Sequence, residues 1–348
     1  MNETGFKLAV VGAGMASAPH LASLLALQDR ATVRYVVARS QERASAFARQ
    51  LPHARVTLDL DTALADDNVD GVLLLTPPNT HLELGAMIAA AGKHLLVEKP
   101  IDVTTSRARE LVALCEQRGI VAAAVLQHRT RDAARKLRQL LDAGALGDIH
   151  SASIAVPWWR PQSYYDEPGR GTRERDGGGV LMTQAIHTLD LFLWLVGLPD
   201  EVFAYAITSR AHRMECEDTV AGVMRYRSGC VASLHASTAI FPGFPERIEL
   251  SGSNGSATLG GGRLVVQYMD GTTLDEGETA SLGSGANPMA FSHHAHQAVI
   301  ANFIDAATHG IEPVASLRSA LNAHLLIDAL IASSDEHRLM IVNPDSSS

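Results

Sequence analysis

Cysteine is the scarcest informative residue in this chain. There are three, Cys115, Cys216 and Cys230, widely separated and without a Cys-x-x-Cys pair. That excludes a disulfide framework and a zinc-finger spacing, and it fits a reducing compartment. Positive charge is also short: Lys and Arg total 29 against 38 Asp and Glu, for a formal net charge of −9. With no basic run, nothing supplies the clustered cations that a phosphate backbone requires. No stretch of ~18 uncharged apolar residues is present to span a bilayer. The polar start Met1–Lys7 lacks the basic and then apolar order of a secretion signal. These absences predict a cytoplasmic protein with neither nucleic acid nor membrane as partner.

What is present is a 348-residue chain, 46 % apolar and 19 % charged, ample for two packed cores and too long for one ordinary domain. Over residues 1–126, short apolar runs alternate with helix-like stretches. Strands are read at Phe6–Val11, Val33–Ala38, Val56–Leu58, Val72–Thr76, Leu95–Val97 and Val121–Leu126, with helices starting near Ala16, Gln41, Leu82 and Thr105. This alternation predicts βαβ units around a parallel sheet, an N-terminal Rossmann dinucleotide-binding domain. Residues 127–342 read differently. Helix Ala133–Ala143, a strand near Ile149–Val156 and a long apolar helix Val180–Val196 precede six strand-like runs between Glu201 and Tyr268. Turn residues separate those runs, which predicts a C-terminal α/β domain with a mostly antiparallel sheet. Helices His293–Thr308 and Ser316–Ser333 close it, and residues 343–348 form a tail.

Gly12-Ala13-Gly14-Met15-Ala16-Ser17 leaves the first strand and opens a helix. The first glycine permits a tight turn, and the second lets the backbone approach a pyrophosphate seated on the helix N-terminus. The third position of the pattern is Ser17, so packing there must accept a small side chain. At the end of the second strand, Ala38-Arg39-Ser40 offers no carboxylate for a ribose 2′-hydroxyl. Without that negative charge, Arg39 can pair with a 2′-phosphate as a planar fork, so NADP is expected ahead of NAD.

Further motifs follow in order: His20, Thr76-Pro77-Pro78-Asn79-Thr80-His81, Gly92-Lys93-His94, Glu98-Lys99-Pro100, and Gly177-Gly178-Gly179-Val180-Leu181 before His187 and Asp190. Together with Gly12–Gly14 they resemble the glucose–fructose oxidoreductase, inositol dehydrogenase and rhizopine catabolism (Gfo/Idh/MocA) family over about residues 5–342. The resemblance implies a large open C-terminal sheet that often joins subunits into homodimers or homotetramers. It implies a nicotinamide cofactor and a sugar, polyol or sugar-derived substrate, hence an NAD(P)-dependent oxidoreductase acting on CH–OH. It also implies that Gly12, Gly14, Met15, Ala16, Ala38, Arg39, Ser40, Thr76, Pro77, Pro78, Asn79, His81, Glu98, Lys99 and Gln127 line the cofactor.

Oxidising an alcohol by hydride transfer needs a base for the hydroxyl proton and a donor for the developing alkoxide. His187, an imidazole that titrates near neutrality, fits the first role; Lys99, just past a parallel strand's carboxyl end, fits the second. Thr183 and Asp190 stand four residues before and three after His187, a spacing that shares one helix face. Many family members carry Asp at the position of Thr183, and a hydroxyl can orient a substrate but cannot serve as an acid or base near neutral pH. Asp190 either orients the imidazole or tethers a neighbouring element. The aromatic-rich stretch Trp158–Tyr165 supplies Arg160, Tyr164 and Tyr165 as substrate contacts, since ring faces pack on sugar C–H groups and polar tips bond hydroxyls. A loop staple or an interface is the alternative. Arg129 is read either as a ligand for substrate or cofactor carboxamide or as a salt-bridge partner across domains. His293, His294 and His296 have no Cys or carboxylate companion at a zinc spacing, so they are read as helix-start residues and no metal is expected. Two other functions stay within this fold: redox-assisted glycoside cleavage and a non-catalytic cofactor-binding regulator. The presence of both Lys99 and His187 argues against the regulator.

Overall fold

The computed structural model describes residues 5–14, 17–277 and 293–342. Its first elements are β1 (Phe6–Val11), α1 (Ala18–Ala26), β2 (Ala31–Val37), α2 (Gln41–Ala48), β3 (Arg55–Thr57), α3 (Leu60–Leu64), β4 (Gly71–Leu74), α4 (His81–Ala90), β5 (His94–Val97), α5 (Thr105–Gln117) and β6 (Ala122–Ala124). Next come α6 (Asp132–Asp142), β7 (Ile149–Pro157), the short α7 (Gln162–Tyr165) and α8 (Arg173–Asp176), and α9 (Ile186–Val196). Strands β8 (Glu201–Ile207), β9 (Thr219–Arg225), β10 (Val231–Ser237), β11 (Arg247–Gly252), β12 (Gly255–Gly260), β13 (Arg263–Tyr268) and β14 (Thr273–Glu276) follow. Helices α10 (His294–His309) and α11 (Leu317–Glu336) and strand β15 (Met340–Ile341) end the described chain.

Two compact units result, one of Met1–Gln127 with Ser292–Leu321, the other of His128–Phe291 with Asn322–Ser348. The sequence reading assigns everything from 127 to 342 to the second domain, and the return segment corrects it. Val299, Ile300, Phe303 and Ile304 of α10 join Leu24 and Leu27 near α1 and Leu8 and Val10 of β1 in one buried cluster. Each such side chain contributes about 1.5–3 kcal/mol when fully buried. A sheet face needs a helix to cover it, and that helix need not be a neighbour in sequence. Residues 343–348, read as a tail, lie outside the described residues.

The first unit is built on six parallel strands in the order β3-β2-β1-β4-β5-β6. All four residues of β4 and the last four of β1 are buried, as expected where helices cover both faces of a sheet. The strand order reverses between β1 and β4, which opens a crevice at their carboxyl ends.

The second unit carries nine strands in the order β14-β13-β12-β11-β7-β10-β9-β8-β15. β7 and β10 run parallel, and every other adjacent pair is antiparallel. Buried and exposed residues alternate along β10, so one face of the sheet is packed and the other open. β14 and the two-residue β15 were not foreseen. Both are too short for a period-2 signal and form because the sheet offers them an edge. The expected helix Val180–Val196 is also modified: Leu181–Ala185 is a π turn ahead of α9. The helical run 173–196 is long and apolar enough to cross a membrane by composition, yet 78 % of that window is buried inside the protein.

His324 on α11 is fully buried, and neither ring nitrogen has a hydrogen-bond partner among the described residues. Burial pushes its pKa down to about 4. The fold therefore favours the neutral ring. The unfolded chain takes up a proton near pH 6.5 that the folded chain refuses until about pH 4, so stability is lost as pH falls through that window. At pH 5 the loss amounts to about 2 kcal/mol. His324→Leu should remove this component. Urea midpoints at pH 7 and pH 5 should separate less in the variant than in the wild type, whereas equal separations would place the acid sensitivity elsewhere.

Candidate active site

In the first unit, Gly12 adopts φ +103°, and a Cβ there would lie 2.8 Å from the Leu75 carbonyl carbon and oxygen. The close pass between the ends of β1 and β4 therefore demands glycine. A Cβ on Gly14 would meet nothing within 4 Å, so the turn presents open backbone, as a bound pyrophosphate requires. Ser17, standing in the third glycine position, turns its Oγ back to donate to the Gly14 carbonyl at 2.6 Å. Its hydroxyl is thereby satisfied while the side chain is buried, which explains how packing accepts it. Met15 and Ala16 lie outside the described residues.

At the end of β2, Ala38 is half-buried and Arg39 is exposed. No ion pair engages Arg39 among the described residues. Ser40 accepts from the Arg43 amide as the N-cap of α2. Past β4, Thr76, Pro77, Pro78 and Asn79 are half-buried or exposed, and Thr80 Oγ1 donates to Thr76 Oγ1 at 2.8 Å. These residues and the Gly12–Gly14 turn follow the carboxyl ends of adjacent strands, so the backbone and donor set fit a dinucleotide. His81 is a correction. It is fully buried, with its ring nitrogens against the carbonyls of Thr76, Pro100 and Ile101 at 2.9–3.1 Å. It braces two loops, and burial lowers its pKa.

Lys99 is half-buried one residue past Glu98. The Lys99 amide donates to Glu98 Oε2 at 2.9 Å, and His20 Nε2 lies 2.6 Å from Glu98 Oε1. Burial would push the Glu98 carboxyl up, but the His20 hydrogen bond and charge, then Lys99 and His296, bring it down to about 2.

In the second unit, the helix bearing His187 starts on a built anchor. Glu217 accepts from the Gly179 amide through Oε2 and the Leu181 amide through Oε1, both at 3.2 Å, and its own carbonyl accepts from Val180 at 2.8 Å. A carboxylate on free helix N–H groups is the favoured arrangement. Burial nevertheless pushes this carboxyl up. A Cβ on Gly179 would sit 1.8 Å from the Glu217 carbonyl oxygen, which is why a glycine stands at this position of the Gly177–Gly179 run. The sequence reading missed Glu217, because nothing local marks a carboxylate 38 residues ahead as the cap.

Beyond that anchor the π turn carries Thr183, whose Oγ1 lies 2.7 Å from the Gly179 carbonyl oxygen and also within reach of Gln184 Oε1, its single hydrogen serving one or the other. Gln184 Nε2 in turn donates to Tyr164 Oη at 3.3 Å. π turns insert an extra residue into the helix and recur at functional sites. His187, half-buried, stacks on His128 with ring centroids 5.1 Å apart.

Asp190 does not extend this row. It is fully buried, and Arg129 donates to it twice, Nε to Oδ2 at 2.7 Å and Nη2 to Oδ1 at 2.5 Å. Of the readings each residue carried, the tether fits Asp190 and the salt bridge fits Arg129. Both also belong to one unit, so the pair does not cross domains. Its effect is to tie the turn Gln127–Thr130 to α9, placing His128 beside His187.

The aromatic loop divides similarly. Tyr164 is half-buried, its Oη accepting from Arg170 Nη1 at 3.0 Å. The Arg160 guanidinium carbon lies 5.3 Å from the Trp158 ring centroid and 5.5 Å from that of Tyr164, and burial lowers its pKa. Tyr165, expected in the pocket, is buried with Oη 2.7 Å from Thr238 Oγ1 and acts as a staple. Local composition marks the loop but cannot tell which of two adjacent tyrosines turns inward.

The buried pair yields a test. Asp190→Ala removes the carboxylate that pairs with a buried guanidinium and should cost about 3–5 kcal/mol of stability. His187→Ala, at a half-buried site, should cost far less. Chemical denaturation of both variants checks this; an Asp190→Ala protein with wild-type stability would contradict the tether.

Comparison with known proteins gives the same picture. Residues 6–125 match the oxidoreductase family model with an NAD-binding Rossmann fold, and residues 134–258 match the GFO/IDH/MocA C-terminal domain. The chain is 30 % identical to 1,5-anhydro-D-fructose reductase of Ensifer adhaerens over 70 % of this chain and 72 % of that one. It is 25 % identical to myo-inositol 2-dehydrogenase of Thermotoga maritima over 72 % and 73 %. Among solved structures, the WlbA dehydrogenase of Bordetella pertussis, in complex with NADH and UDP-GlcNAcA, superposes with a TM-score of 0.84 at 27 % identity, covering 99 % of each chain. The chain belongs to the glucose–fructose oxidoreductase, inositol dehydrogenase and rhizopine catabolism family of NAD-binding oxidoreductases.

Proposed function

We propose that this oxidoreductase interconverts a hydroxyl and a keto carbon on a sugar, polyol or sugar derivative. The observation that carries the reading is the second unit's polar row. It consists of the half-buried imidazole of His187, stacked on His128, one helical turn from the Thr183 hydroxyl, which Gln184 links to Tyr164. Such a row suits a molecule rich in hydroxyls and C–H faces. The relatives named above, an anhydrofructose reductase and an inositol dehydrogenase, support that substrate class.

Bound nicotinamide would supply the hydride acceptor or donor. His187 is assigned as the base that takes the hydroxyl proton, and Lys99 as the cation that stabilises the alkoxide. The Thr183 hydroxyl does not ionise near neutrality, so it is assigned to orient the substrate and not to act as an acid or base. Arg160 and Tyr164 are assigned to the substrate, and Gly12, Gly14 and the residues after β2, β4 and β5 to the cofactor. Arg39, exposed beside Ala38 with no carboxylate, supports NADP ahead of NAD.

The second unit's sheet supports assembly into an oligomer. Tyr205, Ile207, Val223 and Val231 are each more than half exposed on its open face, with Phe203 and Val223 paired across β8 and β9. A homodimer or homotetramer joined through this face would cover them. Three buried, unpaired cysteines fit a cytoplasmic setting.

Nicotinamide absorbance with a panel of sugars, inositols and sugar acids tests the chemistry. His187→Ala should lower kcat by about 10²–10⁴-fold while leaving cofactor affinity unchanged. Turnover that survives the change would remove His187 as the base, and aglycone release without net cofactor reduction would point to glycoside cleavage. NADPH should bind more tightly than NADH, with Arg39→Ala abolishing the difference; equal affinities in the wild type would remove the NADP assignment. Val223→Arg should shift the protein toward monomer in sedimentation, and an unchanged assembly would place the interface elsewhere.

A further inference from the structure

The first unit gathers three metal-ligating side chains that no local motif links. His20 comes from α1, Glu98 from the end of β5 and His296 from the first turn of α10. Each offers one ligand atom, and these atoms lie within 4.8 Å of one another. The His20 and His296 rings meet edge to face with centroids 5.2 Å apart. His20 is fully buried, and its Nδ1 has no hydrogen-bond partner among the described residues.

We propose that His20, Glu98 and His296 form a binding site for a borderline divalent transition ion, with Zn²⁺ as the fitting occupant. The donor set decides the class. Two imidazoles and one carboxylate are what such ions take, whereas Mg²⁺ and Ca²⁺ take oxygen ligands. The dimensions agree. Ligand bonds of about 2.0–2.2 Å place donors roughly 3.3–3.5 Å apart around a tetrahedral ion. His20 and Glu98, now 2.6 Å apart, need to open by under about 1 Å, and the remaining separations, at most 4.8 Å, need to close by up to about 1.5 Å. Three protein ligands leave the fourth position to water. On binding, the proton between His20 Nε2 and Glu98 leaves to bulk water, and that nitrogen's lone pair takes the metal bond.

The ion would join three elements from distant parts of the chain and hold α10 against the Rossmann sheet. The adjoining Lys99 ammonium opposes a second cation, which keeps the affinity modest. Neither His293 nor His294 belongs to the cluster, although they ring-stack on each other at the start of the same helix.

Co²⁺ titration of the tag-free full-length protein tests the site. The expected result is visible d–d absorption of tetrahedral intensity, saturating at one ion per chain and bleached by Zn²⁺, with a rise in Tm on Zn²⁺ addition. His296→Ala and His296→Gln should each weaken Co²⁺ binding at least about tenfold, while His294→Ala leaves it unchanged. Circular dichroism establishes that the variants are folded. Absence of tetrahedral bands in the wild type, equal binding by the wild type and a folded His296 variant, or an equal loss in His294→Ala would overturn the proposal and leave the trio a hydrogen-bonded cluster.

Discussion

The buried pair between Arg129 and Asp190 joins two segments of the second unit that are far apart in sequence. It ties the turn that follows β6 to α9, and it lies close in sequence to His187, the proposed base. His128 precedes Arg129 and stacks on His187, three residues before Asp190. A buried ion pair of this kind adds little net stability, because taking two charges out of water offsets their attraction. Its contribution is geometric: two segments 61 residues apart in sequence are held in a single register.

The start of the same helix depends on a second constraint. Glu217 holds the amides of Gly179 and Leu181, and only a glycine leaves room for its backbone at 179. With the N-terminus fixed there and α9 fixed at Asp190, the π turn between them accommodates one extra residue. Thr183, Gln184 and His187 are carried on or just after that turn. Glycine plays a comparable part in the first unit, where Gly12 lets β1 pass the Leu75 carbonyl. In both places a missing side chain sets the position of a functional backbone.

The His20, Glu98 and His296 cluster bears on how the return segment is held. α10 covers the Rossmann sheet with Val299, Ile300, Phe303 and Ile304, an apolar contact that specifies little about axial position. Imidazole and carboxylate groups at the helix start add directional contacts. Electrostatics there are concentrated next to Lys99, the residue assigned to the reacting oxygen, so any change at the cluster alters the field at that ammonium.

Much of this was legible in the residues themselves. Gly12 and Gly14 after an apolar strand, the alternation of periods through residue 126, and the ordered motifs ending in His187 determined the Rossmann sheet, the family and the principal site candidates. These are local signals, since turn geometry and burial period act over a few residues. Only the tertiary structure decided which polar side chains turn inward. His81 read as a cofactor residue and became a brace, while Tyr165, Arg129 and Asp190 each carried a bracing alternative that packing selected, because packing supplied partners that spacing cannot reveal. For the same reason Glu217 and the His20–Glu98–His296 cluster were invisible: His20 and Glu98 stand 78 residues apart. The return of α10 to the first unit was settled by an uncovered apolar sheet face, and such a demand belongs to the folded sheet and to no segment of the sequence.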